Sequence, residues 1–157
     1  MRIAARGQAV WYAPIVQLWI EVEGVEGRVE APNGGEQLVA FMSFSVMRGF
    51  GATHPLIALA DRLHDVHKVR FGPLTTFYEA EAEDAEDREK LEMAWQDAGP
   101  LAASIEATRH AIPGDAQALA LLKRAGAESL VEEAFGLLPV LRDAERAGRR
   151  VRLVYAL

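Results

Sequence analysis

Apolar and polar residues alternate over 15–23, where every even-numbered position from 16 to 22 is apolar. This period of two predicts a strand with one buried face. Two glycines then mark a turn, and the segment 28–31 returns with Val29 and Ala31 facing inward. The pattern predicts a β-hairpin with a longer loop. Residues 2–12 are a candidate edge strand beside it.

The middle of the chain has the apolar spacing of amphipathic helices. Most of the predicted helices start at a capping residue or a proline, such as Asp115 for the fifth, and the helices stop at glycine or proline. Asn33 is the expected cap of the first helix, whose nearly continuous apolar run leaves an extra strand as the alternative. Thr76 with Glu79 forms a capping-box pattern for the third. The predicted helices cover 38–47, 53–69, 76–98, 101–112, 115–126 and a long final helix from 130 to 147 that Pro139 should kink.

The last residues return to a period of two, with Val151, Leu153, Tyr155 and Leu157 on one side. A strand at this position must pair with other strands, and the sequence pattern predicts them in the amino-terminal hairpin. We therefore predict an α+β fold: a small antiparallel sheet (N-terminal hairpin plus C-terminal strand) packed against about five or six helices. The length of 157 residues suits a single domain over 1–157.

Composition narrows the class of protein. Cysteine is absent, which excludes disulfides and zinc–thiolate centres. No apolar stretch reaches the roughly 20 residues of a membrane span, and the start of the chain lacks the pattern of a secretory signal, so we expect a cytoplasmic protein without membrane association. Arginine outnumbers lysine 14 to 3 and asparagine occurs once. This bias is typical of a GC-rich bacterial source and matches heat-adapted proteins.

The net charge of −6 comes from one segment. Residues 79–92 hold eight acids and two bases, and the rest of the chain is neutral. Such a field repels phosphate and disfavours nucleic-acid binding. The segment is either a solvated helix face or a surface that binds a basic partner or a cation. The acidic docking surface is predicted at Glu83, Asp84, Glu86 and Asp87.

Three of the four histidines lie in the predicted helix 53–69. Asp61 and His64 share one side of it, and Glu106 with His110, four residues apart on another helix, could complete a divalent metal site. Imidazole and carboxylate ligands suit zinc, iron or manganese. His67 falls on the apolar side, where a hydrogen-bonded core histidine is the alternative to a role in ligand binding.

Aromatic and basic side chains supply further candidates. Trp19 falls on the polar face of the hairpin and, with Trp11, would line a ligand cleft or a dimer interface, unless a helix covers that face. Arg149, Arg150 and Arg152 would bind an anion or the acidic helix of a second copy. Alternatively, they are ordinary charges of an edge strand.

Common catalytic motifs are missing from the sequence. It has no nucleophile elbow, phosphate-binding loop, dinucleotide fingerprint or His-Glu-x-x-His zinc motif. We therefore expect an interaction or small-ligand-binding domain that self-associates or binds a protein partner and needs no cofactor. The alternative is a metal-dependent hydrolase or oxidase with a His/carboxylate site between helices.

Overall fold

A computed structural model describes residues 16–49 and 54–157. The candidate edge strand over 2–12 and Trp11 lie outside these ranges. The fold is α+β, as predicted. Its strands are β1 (Gln17–Val22), β2 (Val29–Glu30), β3 (Phe77–Glu79), β4 (Gln96–Asp97) and β5 (Arg150–Ala156), and its helices are α1 (Glu36–Ser45), α2 (Pro55–Asp65), α3 (Ala85–Met93), α4 (Ala98–Ala111), α5 (Ala116–Arg124), α6 (Leu130–Phe135) and α7 (Leu138–Arg146).

Strand β5 is the centre of the sheet. It pairs antiparallel with β1 along its whole length, and β1 pairs with β2 as the predicted hairpin. On its other edge β5 pairs with β3 in parallel and with β4 antiparallel. The predicted union of the N-terminal hairpin with the C-terminal strand is therefore confirmed.

One face of the sheet packs on the helices. Leu18 and Ile20 of β1 are fully buried, together with Val151 and Leu153 of β5. Their neighbours in the core come from several helices, among them Phe41, Leu59, Leu101, Leu130 and Leu137. The predicted inward position of Val29 is wrong, because its side chain is 41% exposed.

The start of α1 differs from the prediction. Asn33 does not cap the helix; it lies in a short 3-10 turn, Pro32–Gly35, with a φ of 56°. Helix α1 begins at Glu36, and Glu133 accepts hydrogen bonds from its first free amides. The helix therefore receives its cap from a residue distant in sequence, which no local motif reveals. Because 36–45 is helical, the alternative of a strand in this region is wrong.

The single helix predicted over 76–98 is also wrong. The segment forms β3, α3 and β4, because its two ends add strands to the edge of β5. Thr76 caps nothing: its hydroxyl donates to the carbonyl of Gly72. Asp84 caps α3 instead by accepting from the amide of Asp87.

The long final helix is interrupted. Pro139 lies in the first turn of α7, where a missing amide costs no hydrogen bond, so the chain forms two helices rather than one kinked helix. Gly148, with a φ of 67°, follows the end of α7 as predicted. Within the described ranges, every helix is too short or too polar to cross a membrane.

Candidate functional site

Asp61 and His64 have other partners than the two remaining predicted metal ligands, Glu106 and His110. Asp61 accepts a hydrogen bond from the amide of Gly49 at 2.9 Å, and His64 lies 2.9 Å from Asp65. Glu106 lies 3.9 Å from the ring of His110. Among residues 16–49 and 54–157, no three histidine or carboxylate side chains form a group that could hold a metal ion. The metal site stays a prediction.

Glu106 binds arginines. Arg142 of α7 donates to it at 2.7 Å, and Arg109 lies 3.3 Å away. The hydrogen bond from Arg142 and the charges of both arginines hold the pKa of Glu106 below its usual value. This carboxylate therefore links α4 to α7.

Asp115 connects α2 to α5. One oxygen accepts from the amides of Gln117 and Ala118, which confirms the predicted cap of α5. The other accepts from Arg62 at 2.6 Å and lies 2.7 Å from the ring of His67. The hydrogen bonds from Arg62 and His67 hold the pKa of Asp115 well below its ordinary value. The structure thus places His67 in a half-buried, hydrogen-bonded position.

The C-terminal arginines contact residues of their own chain. Arg150 pairs with Glu23, and Arg149 donates to the carbonyl of Glu23 at 3.1 Å. Arg152 donates twice to Glu21, at 2.9 and 3.1 Å. These bonds connect β5 to β1 and to the turn after it.

Arg152 also reaches the end of the acidic helix. It donates to the carbonyl of Leu91 at 2.9 Å, and its guanidinium lies 4.3 Å from the ring centroid of Trp95. Glu92 lies 3.9 Å away. Arg152 therefore contacts the acidic helix of its own chain, and the predicted contact with the acidic helix of a second copy stays a prediction.

Trp19 is not an exposed aromatic side chain. It is 4% exposed, its ring nitrogen donates to Glu21 at 2.8 Å, and Arg28 lies 4.0 Å above its ring. The predicted exposed patch is wrong at this residue.

The predicted docking residues lie at the water-exposed start of helix α3, with Glu83 and Asp84 just before its first residue, and the helix has no buried residue. At its first turn, one oxygen of Asp84 accepts a hydrogen bond from the amide of Asp87, and one oxygen of Asp87 accepts from the amide of Glu83. Glu86 forms a pair with Lys90 at 3.8 Å, which is a weak contact at such exposure.

A cleft of about 680 Å³ lies beside this surface. Its walls are formed by the residues after α1, by strand β3, by the end of β5 and by the start of α3. Val46 and Met47 line it and are 57% and 51% exposed. Phe77 and Tyr155 add aromatic wall, with ring centroids 5.7 Å apart. The cleft therefore presents apolar surface to a ligand.

The same cleft is strongly acidic. Its acidic lining residues are Glu79, Glu81, Glu83 and Asp87, and Lys90 is the basic one within the described part of the chain. Burial and the charge of Glu79 raise the pKa of Tyr155. The alternation of acids at 79, 81 and 83 is visible in the sequence and would have identified one wall. The apolar wall has no such signal, because Val46 and Met47 end an apolar run, 38–47, that is typical of a core helix.

Comparison with known proteins gives no relative. No protein-family model, no curated protein and no solved structure matches this chain. The function is therefore argued from the geometry alone.

Proposed function

We propose that this protein is an interaction domain whose acidic cleft binds a positively charged, partly apolar segment of a partner protein. The observation that supports this proposal is that one cleft combines four carboxylates with exposed apolar side chains. Recognition of this kind needs neither a cofactor nor a catalytic group, and we expect it of a protein in the cytoplasm.

Charge supports a cationic partner. Four acids against one lysine give the lining a formal charge of −3. Opposite charge on a partner accelerates association and excludes acidic competitors. Cation and carboxylate interact more strongly in a cleft than on an open surface, because its walls exclude part of the water.

The apolar wall of the cleft indicates that the ligand is a peptide segment with an apolar side chain rather than a bare cation. Burial of a leucine-sized side chain contributes about 1.5–3 kcal/mol. Val46, Met47 and Tyr155 offer such an anchor a surface within reach of the acids. A volume of about 680 Å³ falls within the range of known ligand pockets and accommodates a few side chains.

The test is fluorescence anisotropy with a labelled peptide of alternating arginine and leucine. We expect saturable binding at low salt that weakens as salt is added. Two further peptides, one with glutamate in place of arginine and one with serine in place of leucine, should bind far more weakly.

Variants locate the binding. The double variant Glu79→Gln/Glu81→Gln should weaken binding of the arginine–leucine peptide about tenfold or more, and Met47→Ser should weaken it less. Glu132→Gln removes an exposed acid of α6 outside the cleft and should change little. Equal affinity of wild type and the double variant would refute the proposal.

A further inference from the structure

A second pocket on the molecule is basic. It has a volume of about 360 Å³, and four basic side chains line it: Arg48, His64, Lys68 and Arg70. No acidic residue lines it within residues 16–49 and 54–157. Two carboxylates lie next to its lining residues: Asp65, which is exposed and paired with His64, and Asp61, which accepts from the amide of Gly49 beside Arg48. A positive pocket is unexpected in a chain of charge −6.

Arg48 has an unused donor. Its Nε atom is buried, and no hydrogen-bond acceptor reaches it from the described residues. The guanidinium lies 5.2 Å from the ring centroid of Phe71, which also lines the pocket. A buried polar group without a partner costs free energy, and Arg48 recovers it if its side chain turns towards an acceptor bound in the pocket.

The backbone around these bases is held in place. The amide of Gly49, next to Arg48, donates to Asp61. The carbonyl of Arg70 accepts from the buried hydroxyl of Ser104 at 2.7 Å. These bonds restrain the main chain beside both arginines, and such restraint lowers the entropy cost of binding.

Lys68 occupies a backbone position that favours glycine. It follows the end of α2 with a φ of 59°, and its amide donates to the carbonyl of His64. Helices commonly end with glycine in this conformation, because a side chain there is strained. Its Nζ atom donates to the carbonyl of Asp65, which leaves further donors on the ammonium.

We propose that this pocket binds the phosphate group of a small phosphorylated molecule. Two guanidinium groups and an ammonium supply the charge-assisted hydrogen bonds that phosphate accepts. The volume exceeds that of a single phosphate and leaves room for part of the group that carries it. The acidic cleft and this pocket share no lining residue.

The experiment is isothermal titration calorimetry of the full chain with pyrophosphate, at constant ionic strength in a phosphate-free buffer. Citrate, a carboxylate of similar charge, is titrated in parallel. We expect saturable binding of pyrophosphate and weaker binding of citrate. Absence of saturation below about 10 mM pyrophosphate, or citrate binding as tight as pyrophosphate, would overturn the assignment.

Lys68→Gly separates binding from stability. Glycine adopts positive φ without strain, so the variant should melt at or above the temperature of the wild type while it binds pyrophosphate about tenfold more weakly. Arg48→Gln should weaken binding at least as much. Lys123→Gln, an exposed lysine of α5 away from the pocket, is the matched control and should bind like the wild type. Unchanged affinity in Lys68→Gly and Arg48→Gln would also overturn the proposal.

Discussion

Glu133 and Gln37 cap each other's helices. An oxygen of Glu133 in α6 lies 2.9 Å from the amide of Gln37 and 3.0 Å from that of Leu38, at the start of α1. In return, the side-chain oxygen of Gln37 accepts from the amide of Ser129, just before α6, at 2.7 Å. The free amides at two helix starts are thereby satisfied by side chains across a tertiary contact.

Removal of the Glu133 carboxylate should destabilise the protein. Glu133→Ala leaves two amides of α1 without their acceptor and should lower the free energy of unfolding by about 1–3 kcal/mol. Glu133→Gln retains an acceptor oxygen and should cost less. Chemical denaturation measures both, with the exposed Glu132→Ala as control. A Glu133→Ala variant as stable as this control would contradict the assignment of the cap.

The same carboxyl group gives a pH dependence of defined sign. Burial raises the pKa of Glu133 above its ordinary value of 4.5. The unfolded chain therefore loses this proton first as pH rises from 4.5, and stability falls until the folded-state pKa is passed. Glu133→Gln should lack this fall. The measurement is the free energy of unfolding of wild type and Glu133→Gln from pH 4 to pH 8. The difference between the two proteins should change with pH, because only the wild type has the ionisable group. A difference that is the same at every pH would contradict the burial of an ionisable group at this position.

Asp115 should have the opposite effect. Arg62 and His67 lower its pKa below the ordinary 3.8, so its stabilisation is complete above pH 3.8 and is lost as pH falls below that value. Asp115→Asn keeps an oxygen for the cap of α5 and removes the charge. Its melting temperature should lie below that of wild type at pH 7, and the difference should shrink in acid. A constant difference at all pH values would show that the charge contributes nothing.

Two glycines form a matched pair for packing. A methyl group on Gly136 would overlap the ring of Pro32, whereas one on Gly114 would meet open space. Gly136→Ala should therefore destabilise the protein by about 1–3 kcal/mol, and Gly114→Ala should be neutral or slightly stabilising. Thermal unfolding compares them directly. Equal melting temperatures would mean that the loop before α1 does not lie against α6.

Self-association stays a prediction from the sequence. If the acidic cleft of one copy binds a basic segment of another, sedimentation equilibrium should show a larger species at low salt that dissociates as salt is added. Glu79→Gln/Glu81→Gln should shift that equilibrium towards the monomer. A monomer at high concentration and low salt in both proteins would assign the cleft to a different partner.

The long strands and the position of most helices could be read from periodicity. Six or seven alternating residues at β1 and β5 are enough to show a period of two. The strands β3 and β4 have three and two residues, which are too few for any period, and they form because β5 offers an unpaired edge. The capping-box pattern of Thr76 and Glu79 suggested a helix, and the tertiary pairing overrode that local preference.

The candidate sites depend on contacts that sequence spacing does not encode. Asp115 was recognised as a cap, but its bond to Arg62 joins residues 53 positions apart. Glu133 caps a helix that starts almost 100 residues earlier. The basic pocket brings Arg48 next to Lys68 and Arg70 through the packing of α1 against α2. Trp19 was misplaced because polar neighbours on its own face, Arg28 and Glu21, contact its ring and help to cover it.

The central place of β5 has a consequence for biosynthesis. Strand β1 is synthesised about 130 residues before its partner in the sheet. Until then the backbone donors and acceptors on that edge of β1 have only water or a chaperone to bind. Helix pairs can form while translation continues, but the sheet cannot close before the strand Arg150–Ala156 is free. Nascent chains halted before that point should therefore be the form of this protein most prone to aggregation.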